Sequence, residues 1–230
     1  TFGTEDALFS GKQGMAEMII PNGTWIRIGQ STQIQFIALD SDLSEMDVAE
    51  GVARFYNKSS KTVIKATSPF GYVLAYPGAV FDFYVGENSV EVVPVQGSVS
   101  FIHAATQVRY EQAAEAGSIL ADAKQVTSGE GNVDPDWDRW NQAQDTYWAG
   151  QASQGQSSAQ YLPPSLEYDA SALADNGVWE QVPYEGQTSW FWRPTTVAAD
   201  WAPFTVGCWT DWHGDLTWIP RERFGYITHH

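Results

Sequence analysis

Turn signals recur along the chain between Met15 and about Val126, and their regular spacing constrains the fold more than any other feature of the sequence. They stand about eight to twelve residues apart. The runs between them are short and rich in β-branched and aromatic residues, which suit a half-buried pleated strand. Asn22-Gly23 can supply the positive φ of a tight hairpin, and the polar stretch Asn57–Lys61 is typical of another. The pattern predicts an antiparallel β-sandwich or roll.

Composition limits both the class of protein and its partners. Hydrophobic residues make up 43% of the 230 residues, which is enough for an ordered core. The chain has 28 acidic and 12 basic residues, giving a formal net charge of -16. A surface this acidic repels phosphate backbones and anionic lipid headgroups. We therefore predict a globular protein that does not bind nucleic acid.

Two further features bear on the cellular compartment. Cys208 is the single cysteine, which fits a reducing compartment or a bacterial envelope protein that uses no disulfides. The sequence lacks an uninterrupted apolar window of about 18 residues, so no transmembrane segment is predicted in this chain. It begins at Thr1 without a signal-peptide pattern, which favours a processed or trimmed form.

The order of the hairpin motifs resembles the FecR domain, over residues 10 to 128. The matching runs are Ile64–Pro69, Gly71–Ala75, Pro77–Phe83, Val90–Ser100 and the closing Ala114–Leu120. The resemblance implies an all-β module in the periplasm or outside the cell. In the regulators that name the family, this domain passes signals from an outer-membrane receptor to an anti-sigma segment.

A helix is predicted after the flexible stretch Gly129–Val133. Asp134 suits the N-cap and Pro135 the first helical position. Aromatic residues at Trp137, Trp140, Tyr147 and Trp148 form a stripe, which predicts a helix that packs on a β domain. The Gln-, Ser- and Gly-rich segment 151–160 is predicted to be a linker. The expected domains are thus residues 1–130, a helix and linker over 131–160, and residues 161–230.

Tryptophan dominates the C-terminal part, since ten of the eleven tryptophans follow residue 131. Gly177-Val-Trp179 leads to Trp192-Arg-Pro194, and Gly207-Cys-Trp209 leads to Trp218-Ile-Pro220. The repeated unit reads as a Gly-x-Trp strand, a turn and a Trp-x-Pro strand end. The order of motifs over Gly177–Pro194, Trp201–Trp209, Gly214–Ile219 and Phe224–His230 resembles the bacterial family of unknown function DUF6600, which often follows FecR-like domains. That resemblance implies a small Trp-rich β domain and no reaction.

The tryptophans and their neighbouring acids are the main candidate for a binding surface. Indole faces stack on the C–H groups of sugars, and carboxylates bond hydroxyls; the alternative is that indoles fill the core of a small β domain. Because residues 190 and 192 alternate in a strand, both tryptophans are expected on one face. The candidate residues are Trp190, Trp192, Trp201, Trp209, Trp212, Trp218, Asp211 and Asp215.

The sequence predicts no catalytic residue, cofactor or metal site. Asp211, His213 and Asp215, or the terminal His229 and His230, are the sets that suggest a hydrolase. Side chains so closely spaced seldom converge on one ion, and adjacent histidines on a strand point to opposite faces. The resulting prediction is a non-enzymatic scaffold or interaction protein of the bacterial envelope or surface, periplasmic or extracellular. Its expected partner is an envelope or extracellular protein, a second copy of the chain included. The alternatives are a glycan-binding module and, behind it, a hydrolase.

Overall fold

The computed structural model describes residues 3–212 and 214–228, apart from the side chains at positions 154, 156, 164, 165, 168 and 212. The chain divides into two compact units, Thr1–Asn141 and Gln142–His230. Strands make up 48% of the structure and helices 17%. The prediction of an all-β fold is confirmed.

The first unit contains thirteen strands among its described residues and the start of a helix. They are β1 (Ala7–Phe9), β2 (Ala16–Ile19), β3 (Thr24–Ile28), β4 (Gln33–Leu39), β5 (Leu43–Asn57), β6 (Val63–Ser68), β7 (Gly71–Ala75), β8 (Val80–Val85), β9 (Ser89–Gln96), β10 (Ser98–His103), β11 (Arg109–Ala113), β12 (Ser118–Asp122), β13 (Val126–Gly129) and the first part of α1 (Pro135–Ala159). The predicted hairpin at Asn22-Gly23 is confirmed, because β2 and β3 pair across it.

The fifteen-residue strand β5 belongs to both layers of a sandwich. Its first half pairs with β4 and, in parallel, with β6. Its second half pairs with β3 and β8. The change falls at Gly51, whose φ is +96° and whose missing Cβ would lie 2.3 Å from the Thr32 hydroxyl. Only glycine fits there. Any other residue would be strained at this positive φ, and its side chain would clash with Thr32.

This arrangement corrects the predicted hairpin at Asn57–Lys61. The loop does not join paired neighbours: it carries the chain from the end of β5 in one layer to β6 in the other. Asn57 holds it, since its Nδ2 donates to the carbonyls of Thr62 (2.7 Å) and Ala75 (3.0 Å). Local turn chemistry could not reveal that one strand serves two layers.

The inner faces of both layers form one apolar core. Phe36, Met46 and Phe101 come from one layer, and Phe55 and Phe81 come from the other. The rings of Phe55 and Phe81 stack at a centroid distance of 5.0 Å. Burial of a large apolar side chain contributes about 1.5–3 kcal/mol, so this core is the main stabilising element of the first unit.

Charged residues line the opposite face of the β2-β3-β5-β8 layer and are buried. Glu17 lies opposite Arg27, Arg27 opposite Arg54, and Arg54 opposite Asp82. We call these four residues the charge ladder. Arg54 donates two hydrogen bonds to Asp82, Nε to Oδ1 at 2.8 Å and Nη2 to Oδ2 at 2.7 Å. The side chains are 3% and 0% exposed, so this pair is shielded from water.

The first turns of α1 cover the charge ladder. Trp137 is buried and its Nε1 donates to Asp82 Oδ1 at 2.9 Å, while Asp138 accepts from Arg54 Nη1 at 3.0 Å. The backbone carbonyl of Asn141 accepts from Arg27 Nη1 at 2.9 Å. Asp134 Oδ1 accepts from the amide of Trp137 at 2.8 Å. The predicted N-cap and the packing of the helix start on a β layer are therefore confirmed.

Electrostatics of the Arg54–Asp82 pair follow from its burial. Desolvation acts to lower the pKa of Arg54, but hydrogen bonds and attraction from Asp82 outweigh it and raise that pKa. Burial raises the pKa of the Asp82 carboxyl, against the opposing influence of Arg54. Neither charge is stable at this position without the other.

The second unit combines helical segments with two hairpins. Its elements are the remainder of α1, a 3-10 helix (Pro164–Asp169), α2 (Ala170–Asn176), β14 (Gly177–Tyr184), β15 (Gln187–Pro194), β16 (Gly207–Trp212), β17 (Asp215–Pro220) and α3 (Gly225–Thr228). Leu173, Phe224 and Ile227 form its small core.

The linker predicted over 151–160 is wrong, because α1 continues through Ala159. Small and polar residues such as Gln and Ser do not forbid a helix, and nothing in 151–159 breaks it in the way that proline would. Gly155 is buried against Ala170 and Ser171, where a Cβ would lie 2.9 Å from the Ser171 amide nitrogen. A glycine that signals flexibility in sequence thus serves close packing.

Replacing Asp82 with alanine tests the charge ladder. The substitution leaves the buried Arg54 with the more exposed Asp138 as its carboxylate partner, so we expect the free energy of unfolding to fall by about 3–5 kcal/mol. Urea denaturation followed by circular dichroism measures it. The matched control is Glu45→Ala, which breaks the more exposed Lys65–Glu45 pair (2.8 Å) and should cost less than about 1 kcal/mol. An equal loss of stability in both variants would contradict the conclusion that the Arg54–Asp82 pair is buried and interdependent.

Candidate binding surfaces of the second unit

The two hairpins of the second unit repeat one pattern in register. In β14–β15, Gly177 pairs with Pro194 and Trp179 with Trp192. In β16–β17, Gly207 pairs with Pro220 and Trp209 with Trp218. The predicted Gly-x-Trp and Trp-x-Pro repeat is thus a pair of antiparallel hairpins.

Each repeat glycine lies directly under a tryptophan ring. A Cβ on Gly177 would come within 2.4 Å of the Trp192 ring, and one on Gly207 within 2.5 Å of the Trp218 ring. The spacing of the repeat follows from this contact, since any larger side chain would displace the indole across the strand pair.

The tryptophan pair of the first hairpin packs on the helical segments. Trp179 Nε1 donates to Ser158 Oγ at 3.1 Å, and Trp192 Nε1 donates to the Leu173 carbonyl at 3.0 Å. The Trp192 ring meets Phe224 edge-on at a centroid distance of 4.8 Å. Trp192 therefore belongs to the small core, as the core-filling interpretation of the sequence expects.

Trp190 lies on the same face but nearer the rim. Residues 190 and 192 alternate in β15, so they share a face as predicted. Trp190 is 46% exposed and packs on Tyr161 at a centroid distance of 4.8 Å. The two indoles therefore differ in role: Trp192 fills the interior and Trp190 closes its edge.

The opposite face of β14–β15 is apolar and open. It presents the exposed side chains of Val178, Val182, Tyr184 and Phe191. Arg193 and Glu180 lie on the same face among these residues and form a hydrogen-bonded ion pair (Arg193 Nε to Glu180 Oε1, 3.0 Å), with Glu180 directly across from Phe191. The Arg193 hydrogen bond lowers the pKa of Glu180. We call this side the outer face of the first hairpin.

The second hairpin exposes one tryptophan of its pair, Trp209, while Trp218 is half-buried. Trp209 is 54% exposed and Leu216 is 71% exposed. Phe204 stacks on Trp209 at 6.0 Å and meets Trp218 edge-on at 5.8 Å, and the two indoles lie 5.2 Å apart. We call Phe204, Trp209, Leu216 and Trp218 the second-hairpin cluster.

Trp201 takes part in the small core instead of a surface. Its Nε1 donates to Glu222 Oε1 at 2.9 Å, and its ring meets Phe224 edge-on at 5.9 Å. The predicted surface residues whose side chains the structure describes thus lie in several places and do not form one platform.

The two predicted acids of the second hairpin occupy opposite faces. Asp211 pairs with Leu216, whereas Asp215 pairs with Trp212 one position further along, so their side chains point to opposite sides of the strand pair. Asp211 Oδ1 accepts from the Gly214 amide at 3.1 Å and stabilises the turn. His213 and the side chain of Trp212 lie outside what the structure describes, as do the terminal His229 and His230. A convergent Asp211/Asp215 site is therefore excluded.

Sequence reasoning missed a polar cleft of about 290 Å³ beside the helical segments. Its lining includes Tyr147, Trp148, Asp169, Asp175, Arg223 and Tyr226. Tyr226 donates its hydroxyl to Asp169 Oδ1 at 3.0 Å, and burial raises the pKa of that hydroxyl above its ordinary value. The aromatic stripe that includes Tyr147 and Trp148 is the sequence signal nearest to this cleft, and by itself it predicts only a helix that packs on a β domain.

Comparisons with known proteins place the chain in no family. No protein-family model matches it, and no curated protein matches it. Two crystal structures of a candidate anti-sigma factor from Parabacteroides distasonis are similar, each with 13% identity and a TM-score of 0.46 over 55% of this chain. The alignment spans 61% of each of those chains, which is less than two thirds of their length. The FecR-like and DUF6600-like resemblances stay predictions.

Placing alanine at Gly177 tests the packing of the first hairpin. The added methyl group meets the Trp192 ring and the Arg193 carbonyl at 2.4–2.5 Å, so we expect a loss of about 1–3 kcal/mol of stability. Urea unfolding followed by tryptophan fluorescence measures it. The matched control is Gly150→Ala in α1, where nothing lies within 4 Å of the new Cβ, and where we expect a gain of about 0.5–1 kcal/mol. A neutral Gly177→Ala would refute the packing.

Proposed function

We propose that this protein is a non-enzymatic interaction protein of the bacterial envelope or cell surface. Its second unit presents apolar side chains for a protein partner, and its first unit is the rigid β support. The proposal rests on the apolar side chains left exposed on both hairpins of the second unit. Contiguous exposed apolar patches mark interaction sites far more often than scattered single residues do.

The isolation of the two hairpins also favours an interaction surface. A two-stranded hairpin is only marginally stable in water by itself. Each hairpin here pairs with no third strand among the described residues, and the first has large apolar side chains on both of its faces. Elements with two apolar faces are stabilised by burying the second face as well as the first.

Charge narrows the class of partner. The net charge of -16 disfavours nucleic acids and anionic membranes, because like charges repel at long range. Among the described residues, no helix is long and apolar enough to cross a membrane. A protein with a neutral or basic contact surface suits the second unit best. The envelope location rests on the FecR-like and DUF6600-like resemblances.

Crosslinking of the full chain in its native cells tests the interaction role. We expect one protein to be recovered in stoichiometric amount, since a specific patch selects one partner. Mass spectrometry of the crosslinked complex and cell fractionation give the identity and the compartment. A monomeric chain without a crosslinked partner, or one confined to the cytoplasm, would contradict the proposal. A variant with Phe191→Ser and Trp209→Ser together should lose the partner.

The polar cleft favours a second candidate function, binding of a saccharide. Sugar sites combine aromatic rings with carboxylate and guanidinium groups that bond hydroxyls. Tyr147, Asp175 and Arg223 offer such groups, and a cleft of about 290 Å³ lies near the lower end of the usual size of small-ligand sites. A hydrolase remains the least favoured prediction.

Titration calorimetry with glucose, N-acetylglucosamine and their oligosaccharides tests the cleft. If it is a sugar site, one of these ligands gives saturable heat that Tyr147→Ala abolishes, because the stacking surface is lost. The matched control is Tyr184→Ala on the first hairpin, since the two tyrosines are 54% and 55% exposed. Absence of heat with every sugar, or equal effects of both variants, would remove this candidate.

A further inference from the structure

The two hairpins of the second unit are the same structure with different surroundings. Both carry a glycine under the second tryptophan and a cross-strand indole pair, Trp179–Trp192 in one and Trp209–Trp218 in the other. The first hairpin therefore shows how this sequence pattern is packed when its tryptophan face is covered. The second can be compared with it residue by residue.

Helical segments cover the tryptophan face of the first hairpin. Ser158 in α1 and the Leu173 carbonyl in α2 accept the two indole N–H groups. Leu173 itself is 2% exposed and lies in the small core. The cover thus supplies two things: an aliphatic side chain that packs near the rings, and oxygen atoms that accept from the nitrogens.

Among the described residues, α3 meets the tryptophan face of the second hairpin at its Pro220 end, where a Cβ on Gly225 would lie 2.2 Å from the Pro220 side chain. Phe204 is the ring that contacts both indoles of this hairpin, and Trp209 and Leu216 stay more than half exposed. Trp218 Nε1 is buried and has no hydrogen-bond partner in the described part of the chain, whereas its counterpart Trp192 Nε1 has one. Trp209 thus lacks apolar cover and Trp218 lacks a hydrogen bond, so the indole pair is incompletely packed.

The charges near the second-hairpin cluster indicate which kind of partner would complete its packing. The hairpin residues 207–220 contain Asp211 and Asp215 but no lysine or arginine; Asp215 lies on the opposite face, and Arg221 and Arg223 follow the hairpin. Asp211 lies on the same face as Leu216, directly across the strand pair. A partner that covers the second-hairpin cluster therefore meets an aromatic centre with negative charge at its edge, and lysine or arginine complements that edge. A second copy of this chain would bring its own charge of -16, which opposes self-association.

We propose that the second-hairpin cluster docks an amphipathic helix whose apolar stripe is flanked by lysine or arginine. The helix takes the place that α1 and α2 occupy on the first hairpin. Leucine-like side chains cover Trp209 and Leu216, and a basic residue pairs with Asp211. This inference rests on the proposed function, because it names the surface and the kind of partner for that interaction role.

A synthetic peptide provides the test. The probe is an acetylated, amidated helix of about 18 residues, with leucine at i, i+3, i+4 and i+7 spacing and lysine on both flanks. Fluorescence anisotropy of the labelled peptide measures its Kd for the full chain. We expect saturable binding that Trp209→Ala weakens by about tenfold or more. A peptide with glutamate in place of lysine should bind more weakly than the lysine form.

Matched variants separate this surface from general attraction to an acidic protein. Phe191→Ala removes a comparably exposed ring from the outer face of the first hairpin and should leave Kd within about twofold. Asp211→Asn retains an oxygen for the Gly214 amide and removes the charge, so it should weaken binding and reduce its salt dependence. If Trp209→Ala fails to fold, Leu216→Ser replaces it as the variant expected to weaken binding, because Leu216 is 71% exposed and its replacement should not disturb the fold.

Several results would overturn the proposal. They are no binding of the lysine peptide, equal Kd values for the wild type and Trp209→Ala, and a dimer in solution that Trp209→Ala dissociates. The last result would assign the surface to a second copy of the chain. If native crosslinking captures a partner with wild type and with Trp209→Ala alike, the interaction role stands and this hairpin is not its surface. Failure of the two proposals is therefore distinguishable.

Discussion

The buried Arg54–Asp82 pair is the constraint on which the first unit depends. Two arginines, Arg27 and Arg54, stand opposite each other on neighbouring strands, an arrangement that repulsion alone would disfavour. Glu17 on one side and Asp82 on the other neutralise them. Because all four lie on adjacent strands, the charges fit only when β2, β3, β5 and β8 pair in one register. A buried pair of this kind contributes specificity more than net stability.

That constraint also determines where α1 begins. The charge ladder needs a cover that bonds its remaining polar atoms, and Trp137 and Asn141 provide it. An apolar cover would leave Asp82 and Arg27 short of hydrogen bonds at a cost of several kcal/mol. The start of α1 therefore contributes to the stability of the first unit, although the same helix continues into the second.

The second unit is stabilised differently, because indoles take the place of an aliphatic core. Among the described residues, the buried members of its core cluster are Leu173, Phe224 and Ile227. Trp192 and Trp201 extend this cluster to the rim, each with its N–H bonded. Tryptophan suits this position because one residue buries a large area and still satisfies a polar edge. Trp209 of the second hairpin stays 54% exposed, so one sequence motif occupies two different environments in this chain.

Sequence by itself determined the elements whose signals are local. The Asn22-Gly23 hairpin, the Asp134 cap and the Gly-x-Trp repeat each depend on residues a few positions apart, where backbone sterics and cross-strand contacts act directly. Tertiary structure alone decided the double use of β5, the burial of Arg27 and Arg54, and the difference between Trp192 and Trp209. Those outcomes depend on which surfaces meet, and a residue's type does not reveal whether its neighbour in space is a carboxylate, a helix or water.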